Sequence, residues 1–193
     1  DSVYVVPGNP QLGKARYRND SLIAGPMDFS FKNKFALSDL HGVVKRIIFP
    51  GAFVGDERFN LNEEHRNFIL KYMSMLPEES DYPKYPAEKY WPAYVKFLMT
   101  GSEKGGWVNP NVRIFNKVGN AYGHLLDAAY VADFENNVEF FVSAVIYCNS
   151  DGVLNDDKYD YETVGFPFMK ALGKTIYAYE LTRERKNMPD LSR

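Results

Sequence analysis

Cysteine is almost missing from this chain. Cys148 is the only one in 193 residues, which excludes an internal disulfide and any cysteine-based metal cluster. It lies inside the apolar run VSAVIYC, where a thiol packs as a small, inert hydrophobe. Histidine is scarce as well: His41, His65 and His124 are scattered and share no ligand spacing, so neither a metal site nor a histidine-based catalytic centre is expected. No stretch approaches the roughly eighteen consecutive apolar residues that span a bilayer, so no transmembrane segment is expected. Excess charge of either sign is absent too. A formal net charge of −2 and an isoelectric point near 6.0 provide no general field for nucleic acid or anionic lipid. No cofactor is expected. The chain opens on Asp1 without a methionine or a signal peptide, and the expectation is that processing or truncation removed what came before.

What is present is apolar and aromatic. Hydrophobic residues make up 45% and aromatic residues 16%, with 14 Tyr and 14 Phe, the composition of a packed globular protein. A chain of this length buries roughly 70% of the surface exposed when unfolded, enough for one full core. Tyrosine in such numbers points to half-buried surfaces, since the ring favours burial and the hydroxyl needs a partner.

Three sections follow along the chain, within one structural domain. Residues 1–35, punctuated by Pro7, Pro10, Pro26, Gly8, Gly13 and Gly25, read as loop with one short strand at VYVV. Residues 36–106 form a helical portion. Leu37, Leu40, Val44, Ile47 and Ile48 fall at helical spacing before Pro50 and Gly51. A second helix is capped by Asn62, has Glu63 and Glu64 at its positive end, and carries Phe68, Ile69, Tyr72, Met73 and Leu76 as a core-facing stripe. A short helix, AYVKFLMTG, ends at Gly101. In residues 107–193 the period changes to two. VRIFNKV, HLLDAAYVADF and VEFFVSAVIYC read as three antiparallel strands, with ENN as the hairpin turn between the last two. A last helix runs from about Phe166 to Arg185, with Phe168, Leu172, Ile176 and Tyr179 on one face. Helices, then a three-strand meander, then a helix on the sheet make an α+β fold.

The stretch NKVGNAYGHLLDAAYVAD, residues 116–133, places a lysine just before a glycine-rich corner. Lys117 at a strand edge supplies a fixed positive charge for a substrate carboxylate or for steadying a neighbouring hydroxyl. Gly119 removes a side chain, so that a substrate backbone can lie close to the strand. Asn120 offers its backbone N–H towards an oxyanion. Taken with SAVIY and the terminal helix, this stretch resembles the back half of the penicillin-recognising serine hydrolases, the superfamily of class A β-lactamases and penicillin-binding transpeptidases. Lys117-Val118-Gly119 matches its Lys-Thr/Ser-Gly motif, and the helices at 37–48 and 62–76 look like the last ones of its all-α subdomain. The resemblance covers most of residues 36–186. It implies an acyl-serine hydrolase with Lys117 and Asn120 catalytic and with Val118 and Gly119 at the substrate. It also implies a small-molecule or peptide substrate and export to a bacterial periplasm or envelope.

The chain departs from that pattern in three places. The nucleophile motif Ser-x-x-Lys is absent: Ser30 precedes Lys32 and Ser102 precedes Lys104, both at the wrong spacing. Ser-Asp-Asn is absent too, although Tyr17-Arg18-Asn19 imitates its Tyr-x-Asn variant. Val118 replaces the threonine whose hydroxyl helps hold a β-lactam carboxylate. The resemblance therefore implies a C-terminal half whose partner is the missing N-terminal half. Such a half would expose an apolar sheet edge and helix face, which also favours association with a second copy. Two alternatives stand beside it: a non-catalytic envelope or ligand-binding protein of the same fold, and a plain structural domain in which Lys117 is a surface lysine.

Other constellations read more simply. DGVLNDDKYDYE has five acidic residues but not the alternate spacing of an EF-hand loop, and reads as solvated. Lys14, Arg16 and Arg18 alternate along an edge strand. YPKYPAEKYWP packs a long connection over the helices.

Overall fold

The computed structural model describes residues 8–105 and 109–191; the VYVV strand expected at the start lies outside them. The architecture is α+β. Its centre is an antiparallel meander of β5 (Val112–Ala121), β6 (His124–Asp133) and β7 (Val138–Tyr147), in sheet order β5-β6-β7. β6 is the middle strand, and it is buried from Asp127 to Asp133 on both faces. That explains why its apolar run is nearly unbroken rather than alternating.

Each face of the meander has its own cover. On one face, Ile114, Leu125, Val131 and Val142 pack against Leu98 and Met99 and against Met169 of α3 (Phe166–Thr182). On the other, Ala128, Tyr130 and Ala132 meet Val44 and Ile48 of α1 (Leu37–Ile48), with Leu70 and Met73 of α2 (Glu63–Ser74) at the margin. Full burial of one such large aliphatic side chain contributes about 1.5–3 kcal/mol.

α1 spans the residues its spacing predicts. α2 starts where expected, because Asn62 Oδ1 accepts the His65 N–H at 2.8 Å and satisfies a donor that the helix leaves orphaned. Its apolar stripe departs from expectation: Phe68 and Tyr72 are 63% and 52% exposed, stacked on each other, while Ile69, Met73 and Leu76 are half-buried. α2 reaches the sheet at its margin, and among the described residues Phe68 and Tyr72 are left without cover. α3 stops at Thr182, before Arg185, because Arg183 turns extended and its guanidinium folds back onto Glu180. Its buried line is Met169, Gly173 and Glu180; Phe168 and Tyr179 of the expected face are exposed. The expected AYVKFLMTG helix is a single turn at Phe97–Thr100 in which Leu98 and Met99 are not helical.

The first section holds more structure than its glycines and prolines suggest. β1 (Gln11–Leu12) pairs with β4 (Met27–Asp28), and β2 (Ala15–Arg18) pairs with β3 (Ser21–Ala24). Asn19 and Asp20, at φ 49° and 58°, form the two-residue left-handed turn that matches the twist of a hairpin. β2 is not the expected edge strand. Its other side pairs in parallel with β8 (Val153–Leu154), in the acidic loop after the meander. The Arg16 guanidinium donates to the carbonyl of Pro26 at 3.0 Å.

Candidate functional site

β5 continues through the stretch expected to be a corner. The turn is at Tyr122 and Gly123, with φ of 51° and 83°, a two-residue hairpin whose central residues must both adopt positive φ. Glycine is required at 123, where an added Cβ would stand 2.6 Å from the Asn149 Cβ. Lys117, Val118, Gly119 and Asn120 are therefore strand residues, opposite Ala128, Asp127, Leu126 and Leu125. A two-residue turn makes Ala121 and His124 the hydrogen-bonded pair that closes the hairpin. Alternation then directs the backbone of odd-numbered β5 residues to β6, and that of even-numbered ones outward. Two contacts agree: the Ile114 carbonyl accepts the Lys96 ammonium at 2.9 Å, and the Val118 carbonyl accepts that of Lys117.

Among the described residues no strand pairs with the outer side of β5. The N–H of Asn120 faces outward there by this alternation, at the open end of the edge. Lys117 and Asn120 are exposed, and Gly119 is half-buried. Neither backbone nor packing demands a glycine at 119: it lacks a positive φ, and an added Cβ would meet Leu126 at 3.4 Å. Val118 turns to the opposite face and packs against the core, which explains an apolar residue there.

Directly behind the edge lies a polar cluster that the pattern of residues did not announce. Lys96, 4% exposed, donates to the Met73 carbonyl at 2.7 Å, the Ile114 carbonyl at 2.9 Å and Asn116 Oδ1 at 2.8 Å. Asn116 Nδ2 donates to the Val95 carbonyl and to Asp127 Oδ1, both at 2.9 Å. Asp127 Oδ2 accepts the Leu98 N–H at 3.0 Å. Burial pushes the Asp127 carboxyl up to about 7, against the pull of the Leu98 N–H, Asn116 and Lys96. Burial likewise pushes the Lys96 ammonium down to about 8, against the attraction of Asp127. Buried groups with such shifts mark functional regions and structural networks alike. The signal in the sequence was an acid, Asp127, inside an otherwise apolar central strand.

The first half of the same edge borders a hollow of about 180 Å3, lined among others by Lys96, Thr100, Val112 and Leu76. Arg113 grips Glu79 at its rim with both guanidinium nitrogens, which holds the Glu79 carboxyl below its ordinary value.

The remaining candidates are not brought to the edge. Tyr17 lies in β2 and Asn19 is a hairpin-turn residue. Ser30 bonds to Asp28 beside it. His41 Nδ1 lies 2.8 Å from Ser143 Oγ, tying α1 to β7, but no acid among the described residues orients the imidazole as a triad requires. Among the described residues no three His, Cys, Asp or Glu side chains converge, and no helix is long and apolar enough to cross a membrane. Compared with models of protein families, with curated proteins and with solved structures, the chain matches none.

Proposed function

We propose that this chain is the C-terminal portion of an acyl-serine hydrolase of the penicillin-recognising kind, exported to a bacterial periplasm or envelope, with its nucleophile in a segment outside this sequence. One observation carries the reading: an exposed lysine, a glycine that the fold does not require, and an outward N–H follow one another at the open end of an edge strand. In this reading a serine of the absent portion attacks a carbonyl carbon. Its proton passes to a base of that portion, the tetrahedral oxyanion so formed collapses with departure of the protonated leaving group, and water then hydrolyses the acyl-enzyme that remains. Lys117 neutralises charge on the substrate or steadies a neighbouring hydroxyl. Asn120 N–H stabilises the oxyanion, and Gly119 lets the substrate backbone approach. The exposed Phe68 and Tyr72, and the outer edge of β7, which pairs with no strand among the described residues, fit a chain that an N-terminal half would cover.

Lys117→Ala in the full-length protein tests the site. Loss of one charge-assisted contact, about 1.5–3 kcal/mol, should slow acylation by a serine-reactive phosphonate about 10- to 100-fold. Unchanged labelling removes Lys117 from the site.

Val118 favours a second reading, a non-catalytic envelope or ligand-binding protein of the same fold. Its side chain belongs to the core, so the position has no hydroxyl for a β-lactam carboxylate. The residues encoded upstream of Asp1 discriminate: a Ser-x-x-Lys there supports the hydrolase, and its absence supports the binder.

A further inference from the structure

The roles in the hydrogen bonds of the buried cluster fix its charge states. Lys96 gives all three of its donors to oxygens; a neutral amine has only two, so the group is an ammonium. Asp127 accepts at both oxygens, from Asn116 and from Leu98, as a carboxylate does. Asn116 reads both, with its oxygen on the cation and its NH2 on the anion. Opposite charges kept out of water and bridged by an amide cost desolvation that apolar residues would avoid.

The backbone around the cluster is strained as well. Val95 and Met99 hold φ of 57° and 87°, a left-handed backbone that residues with a side chain adopt only under strain. They flank the turn whose Val95 carbonyl and Leu98 N–H are the groups that the cluster holds. The position next to Asn116 is Lys117. Successive side chains point to opposite faces of a strand, so anchoring Asn116 from one side sets the roll of β5 and with it the direction of Lys117. Along the outer edge, the N–H of Val112 is taken by Asn109 at 2.9 Å and the Ile114 carbonyl by Lys96.

We propose that Lys96, Asn116 and Asp127 are the positioning residues of the β5 edge, gripping the strand at Asn116 and taking the outward Ile114 carbonyl, so that the edge from the Val118 N–H to Asn120, where Lys117 itself holds the Val118 carbonyl, is the stretch that faces a ligand. This rests on the reading of that edge as the functional one. The other charges that reach Lys96 are Glu79, from the turn after α2, and Arg113 of β5; Lys96 is the charge acting on Asp127. The Glu79 carboxyl is held low by Arg113, and the guanidinium is held high by Glu79, so neither changes charge near neutrality. Within the cluster both Asp127, at about 7, and Lys96, at about 8, change charge close to neutrality. His124, which burial holds below its ordinary value, is the competing source at the hairpin.

The test follows the 1H–15N amide signals of Val118, Gly119 and Asn120 in the full-length protein across neutral pH. In the wild type they should move with a midpoint near 7. The midpoint should rise in Lys96→Met, where the carboxylate loses its cation. In Asp127→Asn only the Lys96 step should remain, moved below about 8 by the loss of its anion, and in the double variant the movement should vanish. Edge amides that do not titrate, or that titrate unchanged in Asp127→Asn, overturn the proposal. If neither variant folds, His124→Gln decides: a midpoint kept near 7 supports the cluster, and a lost one overturns it. These signals need no chemistry. A titrating edge in a protein whose Lys117→Ala form labels normally leaves the positioning role standing and removes only the site assignment.

Discussion

Gly173 shows how a single missing carbon sets a turn. Within α3, alanine would be favoured over glycine by about 1 kcal/mol of helix propensity. At this position, though, a Cβ would overlap the Met99 backbone nitrogen and stand 3.1 Å from the Leu98 carbonyl carbon. Those are backbone atoms of the strained turn that Asp127 holds, so they cannot step aside. Overpacking of this kind costs about 1–3 kcal/mol and outweighs the propensity. Gly173→Ala should therefore lower the urea midpoint; an unchanged or raised midpoint would mean that the turn yields. Residues of this sort are hard to read in a sequence. Gly173 reads as a tolerated helix glycine, and Lys96 and Asp127 as polar interruptions of apolar runs, because what makes each one matter is a partner from another element. Lys117 and Gly119 were legible as an unusual pair, since a strand edge needs neither.

At the scale of elements, the meander and the two long helices follow from periodicity, and what differs is where strands end. β5 runs four residues past Lys117 because the turn residues are Tyr122 and Gly123; the first glycine of the stretch is an ordinary strand position. The β2–β3 hairpin escaped notice because its turn is Asn-Asp without a glycine. The β6–β7 turn was legible, and its chemistry is local. Asp133 accepts the N–H groups of Glu135 and Asn136, both at 3.0 Å, and the Tyr177 hydroxyl reaches it from α3. Burial alone would raise the Asp133 carboxyl, but these donors outweigh it and hold its pKa below the ordinary carboxylate value. A depressed carboxyl contributes stability that is present above its unfolded value and is lost as pH falls through the folded one. Tyr177→Phe should cost about 1.5–3 kcal/mol at neutral pH, the range for a hydrogen bond to a charged group. The deficit should close in acid as Asp133 protonates. Thermal melts of both proteins from neutral to acid pH check this; a deficit that stays constant with pH would assign the loss to packing.

For the whole molecule, the α+β class was legible because order along the chain mirrors order in space from α1 to α3. The exception is the pairing that closes the molecule. Asn155 reaches the Tyr17 carbonyl across 138 positions of sequence, and Lys14 N–H bonds the Gly152 carbonyl at 2.8 Å. Nothing local announces a contact between such distant segments; only the closed chain creates it. The first section is thus not an arm laid over the surface: its strand β2 is caught between its own neighbour β3 and β8, in the loop that follows the meander. A protease finding the exposed Phe31 and Phe35 would cut the chain without parting it. The nicked protein should elute as one species and come apart into two fragments only in denaturant, so early release of the smaller piece would show the clasp to be weak.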